Sequence, residues 1–395
     1  MFVTSTPIGA QPQSFSSGST GADGALNINA PGVTYLDPKV MKINAAGDNI
    51  FNFTTITIAS GSTLKISESR VHGPVCFLAQ GDVTINGTID ISGDNSLGPT
   101  STATEQIPGF AGSGGYSGGL GGVYSDLNHQ ALPGNGPGGG TIGNCNGNYP
   151  KGGTFTANRF LVPLIGGSGG GGINGATNCT GYGSQGGAGG GALLIASSTT
   201  IRIDGSSAGN GRILATGGSA PINSCGGSGG AVRLVATSIV GAETYQINAG
   251  AGGNTSYCSQ PATVGLVRLE SISLTGFTSA GAGIVGSVLT SLPFALNLPT
   301  SPPPTIAVSS INGVTVNANP FSFPDATINT NALVSVVVQA TNMPITATVN
   351  IYLLSDSGAN QAIPVTLTGT TASSTGTVQI KFPGNGTRGF VKATW

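Results

Sequence analysis

The chain has 395 residues, 68 of them glycine, which is about 17% where an average protein has about 7%. It carries 13 Lys and Arg against 14 Asp and Glu, for a formal net charge of −1. A chain without a basic excess lacks the field that attracts nucleic acid or an anionic membrane. Its hydrophobic content of 38% excludes charge-driven disorder, and its sequence has no strict Gly-X-Y period, which excludes collagen.

Residues 1–24 are predicted to form a polar, detached N-terminal arm that ends in a flexible Gly/Ser-rich joint. We predict that this arm adds a strand to a neighbouring subunit by β-augmentation. The arm has neither the basic nor the apolar region of a signal peptide, so an exported chain is a mature form or uses another route. No run of 18 apolar residues occurs, so we expect no membrane insertion. The residues predicted to mediate assembly are Val3, Ser5, Pro7 and Ile8.

Residues 25–298 alternate short β-patterned runs with glycine-rich segments, and no helix is predicted there. The run Ala192–Ile195 resembles Ala231–Leu234 and Leu266–Leu269, at spacings of 39 and 35 residues. Units this short cannot bury their own apolar face and must stack on their neighbours. The pattern therefore predicts an all-β fold, a β-solenoid similar to a right-handed parallel β-helix.

Glycine is concentrated between residues 101 and 190, where it supplies 30 of 90 positions. Ordering glycine costs more backbone entropy than ordering any other residue. Extended, polyproline-II-like glycine segments compensate by hydrogen bonding laterally, because no side chain blocks their approach. We predict such packed glycine segments; the alternative is flexible loops.

A Pro-rich linker at residues 299–304 precedes residues 305–395, and the last 96 residues hold only seven glycines. About seven β-patterned runs follow the linker. This count and spacing predict an immunoglobulin-like or fibronectin-like β-sandwich. Domains of this kind usually space or join other modules, so the fold gives no function by itself.

Four of the five cysteines lie in polar loops, whereas Cys76 lies in an apolar run. This distribution predicts two disulfides, a buried free thiol and an oxidising compartment, with unpaired thiols as the alternative. Four cysteines allow three connectivities, and proximity in sequence favours the one that pairs Cys145 with Cys179 and Cys225 with Cys258. The predicted disulfide cysteines are Cys145, Cys179, Cys225 and Cys258.

The sequence offers little catalytic chemistry. Ser168 and Ser228 formally match the G-x-S-x-G nucleophile motif, but no helix is predicted beside them and the chain has only two histidines. Asp90 and Asp94 are close in sequence, yet both follow a strand at a position where Asp commonly caps a turn. We therefore predict no enzyme activity, no metal site and no cofactor, with a carbohydrate-active enzyme as a minor alternative.

Five tyrosines in glycine-rich or polar loops are candidates for stacking on sugar rings. The alternative is that they pack between loops or against another subunit. These candidates for glycan contacts are Tyr116, Tyr124, Tyr149, Tyr182 and Tyr257.

Four segments carry a resemblance to a known group of proteins: 51–67, 74–93, 164–172 and 226–236. They resemble uncharacterised glycine-rich bacterial surface or secreted proteins of β-helix type, often ending in an Ig-like domain. The glycine runs are also similar, more weakly, to the polyglycine sandwiches of some phage tail-tip adhesins. The first resemblance implies export and a structural or adhesive setting, but it supplies no catalytic residues.

These observations predict a structural subunit of an extracellular bacterial filament, sheath or surface layer, self-assembling through β-strand and arm contacts. The expected location is extracellular or on the cell surface, and the expected partner is another copy of the chain. The alternative function is a glycan-binding surface adhesin that uses the loop tyrosines.

Overall fold

The protein is described by a computed structural model with 1% helix and 40% strand. The sheets of its first part are parallel, and the fold is nearly all β, as predicted. The structure describes residues 14–96, 109–122, 131–144, 147–174, 183–204, 211–220, 223–241, 246–253, 257–277, 284–298, 304–316, 324–355, 361–384 and 389–394.

Fifteen described strands lie before residue 292. They are β1 (Leu26–Ile28), β2 (Gly32–Tyr35), β3 (Ile50–Phe53), β4 (Ile56–Ile58), β5 (Ser62–Lys65), β6 (Val75–Ala79), β7 (Val83–Ile85), β8 (Thr88–Asp90), β9 (Ala192–Ile203), β10 (Arg212–Leu214), β11 (Ala231–Val240), β12 (Ile247–Asn248), β13 (Leu266–Thr275), β14 (Ile284–Val285) and β15 (Ser287–Ser291).

These strands form three parallel ladders. Ladder I contains β1, β4, β7 and the second halves of β9, β11 and β13. Ladder II contains β2, β5, β8, β10, β12 and β14. Ladder III contains β3, β6, the first halves of β9, β11 and β13, and β15. The described chain visits ladders I, II and III in that order six times.

Because the strands of each ladder pair in register, side chains of similar type stack on one another. In ladder I the inward position is held in turn by Leu26, Ile56, Val83, Ile201, Ile239 and Leu274. The corresponding position of ladder II runs from Thr34 through Leu64, Ile89, Ile213 and Ile247 to Ile284. The inward faces of the three ladders meet in one apolar core. The repeats seen in the sequence are therefore neighbouring strands of one ladder.

The glycine-rich segments leave the ladders at one corner. Residues 91–191 lie between β8 and β9, residues 215–230 between β10 and β11, and residues 249–265 between β12 and β13. Each of these connections runs from ladder II to ladder III. Because the ladders stack, connections at the same corner emerge side by side, which places glycine segments distant in sequence next to each other.

One short helix corrects the expectation of no helix. Helix α1 (Pro38–Met41) lies between β2 and β3. The side chain of Asp37 caps it by accepting hydrogen bonds from the backbone N–H groups of Lys39 and Val40, and Pro38 occupies the first turn. Asp-Pro is the local signal that sequence analysis missed. None of its residues is buried, so its effect on the core is small.

The C-terminal part consists of antiparallel strands. They are β16 (Thr305–Ile311), β17 (Val314–Thr315), β18 (Leu333–Thr341), β19 (Val349–Ser355), β20 (Gln361–Val365), β21 (Thr368–Gly369), β22 (Ser373–Lys381) and β23 (Gly389–Thr394). β16, β17, β18, β21 and β22 form one sheet, and β19, β20 and β23 form another. Residues from both sheets, including Val336, Val338, Ile351 and Leu353, form a second apolar core. This core is separate from that of the ladders.

Candidate functional site

Any two neighbouring glycine segments are joined by hydrogen bonds at every third residue, and the residues in between bond to other segments. Gly167 N–H donates to the Gly190 carbonyl at 2.7 Å, and Gly170 N–H donates to the Gly187 carbonyl at 2.9 Å. Gly187 and Gly190 donate in turn to carbonyls of residues 225–228. A spacing of three is the period of a polyproline II helix. We call residues 112–122, 132–143, 166–173, 183–191, 215–220 and 223–230 the glycine bundle.

The glycine bundle has no room for side chains at its contacts. A Cβ on Gly189 would lie 1.9 Å from the Gly167 carbonyl oxygen, and a Cβ on Gly187 would lie 1.9 Å from the Gly218 carbonyl oxygen. Both clashes are with backbone, which cannot rotate away. The predicted lateral hydrogen bonding of glycine segments is thus confirmed for the described residues, and close approach is the reason why glycine is required.

The two serines of the formal nucleophile motifs are packed inside this bundle. Ser168 and Ser228 are fully buried. The Ser228 hydroxyl accepts a hydrogen bond from Ser168 N–H at 2.8 Å, and the Ser168 hydroxyl accepts one from Gly138 N–H at 3.0 Å. Both hydroxyls therefore hold neighbouring glycine segments together.

One of the two predicted disulfides lies in the described residues. Cys225 and Cys258 are bonded, with their Cα atoms 5.3 Å apart, and they tie the bundle to the segment before β13. Cys145 and Cys179 lie outside the described residues. Cys76 is a free buried thiol, as predicted, and burial raises its pKa to about 12. A thiol with such a pKa is almost entirely protonated at neutral pH and is a poor nucleophile.

The loop tyrosines fall into three groups. Tyr149 and Tyr257 meet edge to face, with ring centroids 5.6 Å apart. Tyr116 packs its ring against Gly136, where an added Cβ would lie 2.6 Å from the ring, and burial raises the pKa of its phenol. Tyr124 and Tyr182 lie outside the described residues. Only Tyr149 and Tyr257 are brought together among the described tyrosines of this set.

Two of the carboxylates that sequence analysis considered, Asp90 and Asp94, share the ammonium group of Lys65. Asp90 accepts a hydrogen bond from Lys65 Nζ at 3.1 Å, and Asp94 lies 3.8 Å from the same ammonium group. Burial raises the pKa of Asp94, while Lys65 opposes the shift. In the described part of the chain no group of three or more His, Cys, Asp or Glu side chains is placed to hold a metal ion.

The most buried charges form a cluster on the outer face of ladder III that sequence analysis missed. Glu270, fully buried, accepts hydrogen bonds from Arg233 Nε at 2.8 Å and from Arg268 Nε at 2.7 Å. Both guanidinium groups also lie over the ring of Phe294, at 4.4 and 5.0 Å from its centroid. The available signal was the Arg at the same position of two repeats, with Glu two residues after the second.

This cluster holds the segment that leads out of β15. Arg233 donates hydrogen bonds to the carbonyls of Ala295 and Leu296, and Phe294 N–H lies 3.3 Å from Glu270 Oε2. Leu296 and Leu298 pack against the outer apolar cluster of ladder III. After β15 the chain therefore turns back over the outer face of the ladder rather than across its end.

The described part of the N-terminal arm also lies on this outer face. Phe15 N–H donates to Thr237 Oγ1, Ser17 Oγ donates to the Ala79 carbonyl, and Ser19 Oγ donates to the Phe53 carbonyl. Residues 14–24 are thus bound to the chain's own strands, contrary to the expectation of a detached arm. The assembly residues Val3, Ser5, Pro7 and Ile8 lie outside the described residues.

A single polar contact joins the C-terminal part to the glycine bundle among the hydrogen bonds of the described residues. Lys392 Nζ of β23 donates to Ser117 Oγ at 3.0 Å, and the Asn135 side chain donates to the same hydroxyl at 2.9 Å. Burial lowers the pKa of Lys392 to about 8. The contact thus places between the two parts an amine that loses its proton near pH 8.

Comparison with protein-family models, curated proteins and solved structures finds nothing that matches this chain. No helix among the described residues is long and apolar enough to cross a membrane. The ladders, the glycine bundle and the surfaces that they leave open are therefore the features from which a function is proposed.

Proposed function

We propose that this chain is a structural subunit of an extracellular bacterial filament, sheath or surface layer. In this proposal the three ladders form a β-solenoid, and the C-terminal part is an Ig-like sandwich that spaces or joins subunits. The subunits self-assemble through strand edges and through the N-terminal arm. The proposal assigns no catalytic step to the chain.

The observation that carries the proposal is the pair of strand edges at which the ladders end. β1 and β2 begin ladders I and II, and β14 and β15 end ladders II and III. An edge strand presents unpaired N–H and C=O groups that template pairing with another chain. The interior, by contrast, is filled with apolar side chains and hydrogen-bonded glycine backbone, which supports a scaffold role.

The Cys225–Cys258 disulfide supports an oxidising location such as the cell exterior. The disulfide also stabilises the folded chain, because a covalent cross-link restricts the conformations of the unfolded chain. Such stability suits a protein that works outside the cell.

Electron microscopy of the concentrated, purified protein tests the proposal. We expect polymers in the full chain, and only monomers at all concentrations would contradict it. A variant that lacks residues 1–13 tests the arm separately, since it keeps the contacts of Phe15, Ser17 and Ser19. If this deletion leaves assembly unchanged, the arm has no part in it.

Glycan binding is the second candidate, and the paired rings of Tyr149 and Tyr257 favour it. Aromatic rings stack on the apolar faces of sugars, and the neighbouring disulfide at Cys258 fixes one of the two loops. A glycan array should give signals that Tyr149→Ala and Tyr257→Ala abolish. Tyr116→Ala is the matched control, because Tyr116 packs against Gly136; equal binding by all variants rejects this candidate.

A further inference from the structure

The two ends of the ladders continue one another. The described chain starts in ladder I with β1 and ends in ladder III with β15, after six passes through the order I, II, III. The strand that would follow β15 in this order belongs to ladder I. The strand that begins a second copy, its own β1, belongs to ladder I as well, so a second copy resumes the order where the first one stops.

The register of each ladder fixes which residues would meet. In ladder I, Leu26 and Leu274 occupy the same inward position at opposite ends. In ladder II, Thr34 and Tyr35 occupy the positions of Ile284 and Val285. Stacking a second copy in the same register therefore adds β1 to the second half of β13 and β2 to β14. At the inward positions Leu26 then follows Leu274, and Thr34 follows Ile284.

The free edges have hydrogen-bonding groups available for this contact. Leu26 N–H donates to the Thr55 carbonyl and Gly32 N–H to the Gly61 carbonyl, so these residues face the inner neighbour strands. Alternate residues of a parallel strand direct their N–H and C=O groups to opposite neighbours. Asn27, Val33 and Tyr35 consequently direct theirs outward, away from the rest of the ladder.

The end strands of ladders I and II lack the charged side chains that commonly protect an edge strand from pairing. Natural edge strands are commonly blunted by charged side chains, Lys above all. Residues 25–36 at the first end and 271–298 at the last contain no Asp, Glu, Lys or Arg. Large apolar side chains are exposed at both ends instead: Val33 (62%) and Tyr35 at the first, Val288 and Leu292 (61%) at the last. The charged residues that follow β2, namely Asp37, Lys39 and Lys42, belong to helix α1 and its caps and lie outside the two edge strands.

The segments that enter and leave the ladders keep clear of these edges. Residues 15–19 and 294–298 both lie on the outer face of ladder III. At the first end β3 is covered, because Asp23 exchanges hydrogen bonds with Asn52, whereas Asn27, Val33 and Tyr35 of β1 and β2 are exposed. Ladders I and II are therefore the ones that present an open edge to a partner at that end.

We infer that a second copy of this chain binds head to tail, its β1 and β2 edges pairing in parallel with the β13 and β14 edges of the first. This inference rests on the proposed function and adds its interface and direction. Such a heterologous contact does not close on itself when the two copies are related by translation along the stack, so it yields a polar filament.

Two end-blocked variants test the direction of assembly. The first carries Asn27→Lys and Val33→Lys at exposed positions of β1 and β2, and the second carries Thr275→Lys at an exposed position of β13 and Val285→Lys at a half-buried position of β14. Each variant alone should remain monomeric in analytical ultracentrifugation. A 1:1 mixture should form a dimer and nothing larger, because one unblocked first end meets one unblocked last end.

The controls separate the inference from the proposed function. Val314→Lys with Leu333→Lys adds the same charge to exposed strand residues of the C-terminal part, and this variant should polymerise like the unmodified chain. Far-UV circular dichroism and the unfolding midpoint establish that each variant is folded. Dimers formed by one blocked variant alone indicate contact between identical ends and overturn the inference. Polymers that persist in both blocked variants also overturn it but leave the proposed function standing, whereas an unmodified chain that never polymerises overturns both.

Discussion

The core of the ladders and the glycine bundle are packed by opposite means. The ladder core is filled by side chains such as Phe51, Phe53 and Phe77, all fully buried and in contact through their rings. The bundle is filled by backbone, with N–H to carbonyl hydrogen bonds of 2.7–2.9 Å between glycines such as Gly167 and Gly190 or Gly170 and Gly187. Removing atoms should therefore damage the first region, whereas adding atoms should damage the second.

The largest effect is expected from Phe77→Ala in the ladder core. Phe77 contacts the rings of Phe51 and Phe53 at centroid distances of 5.4 and 5.5 Å. Truncating a buried Phe to Ala costs about 3–5 kcal/mol, since it loses burial and leaves a cavity. Chemical denaturation measures the free energy of unfolding, with Phe110→Ala as the control at a half-exposed ring. Equal losses for both variants would contradict the assignment of Phe77 to the core.

Gly189→Ala applies the opposite change to the bundle, with an expected loss of about 3 kcal/mol, at the upper end for overpacking. The added methyl would lie 1.9 Å from the carbonyl oxygen of Gly167 and 2.3 Å from its carbonyl carbon, so the backbone of one of the two segments must move. Gly253→Ala is the matched control, because its new methyl meets only the Ser219 side chain, at 3.1 Å. If both variants melt at the temperature of the unmodified chain, the bundle does not need glycine at residue 189.

The disulfide is the one described covalent link of the bundle, and its removal is expected to cost about 2–3 kcal/mol. Cys225 and Cys258 are 33 residues apart, and closing a loop of this length restricts the unfolded chain. The double variant Cys225→Ala with Cys258→Ala should unfold at lower denaturant concentration than the oxidised chain. Adding reductant should then destabilise the unmodified chain more than the double variant; an equal response would show that this bond does not stabilise the fold.

The smallest effect concerns the contact between the bundle and the C-terminal part, and it depends on pH. Burial lowers the pKa of Lys392 to about 8, below the ordinary value of about 10.4, so the folded state binds fewer protons between these two values. Stability should therefore rise as the pH increases from about 8 to about 10.4.

Lys392→Met tests this pH dependence. It removes the partly buried ammonium together with its hydrogen bond to Ser117. At pH 7 its free energy of unfolding should therefore exceed that of the unmodified chain by zero to about 1 kcal/mol. This difference in the free energy of unfolding should be smaller at pH 10 than at pH 7, and denaturation curves recorded at the two pH values measure it. Lys39→Met, at an exposed position, controls for the loss of one charge. A difference between the unmodified chain and Lys392→Met that is independent of pH would refute the role assigned to burial of the amine.

The local part of the fold was predictable because it depends on neighbouring residues. The alternation in Phe51–Ile58 predicts one strand, and the structure divides this segment into two, β3 in ladder III and β4 in ladder I. The resemblance of Ala192–Ile195 to Ala231–Leu234 predicted stacking, and these segments pair in register in ladder III. The glycine runs predicted lateral packing, because only glycine allows two backbones to approach so closely.

The polar clusters were not predictable in the same way, because their members are distant in sequence. Arg233 and Glu270 are 37 residues apart, and Lys392 and Ser117 are 275 apart. Nothing in the residues around Glu270 indicates that Phe294 folds back over it. The short helix α1 was missed for another reason: its signal, Asp37 followed by Pro38, occupies two residues inside a β pattern.

The sequence by itself determined the β class, the stacking of similar strands and the need for glycine, since each follows from side-chain period, side-chain volume or backbone freedom at single positions. Only the tertiary structure decided that the described chain passes six times through three ladders, that its glycine segments emerge at one corner, and that its first and last ladder strands occupy consecutive places in the same order. These features depend on which strands pair across long separations, such as β7 with β9 around residues 91–191. Such pairing is fixed when the whole core closes, because a strand's own residues specify its inward face but not its neighbour.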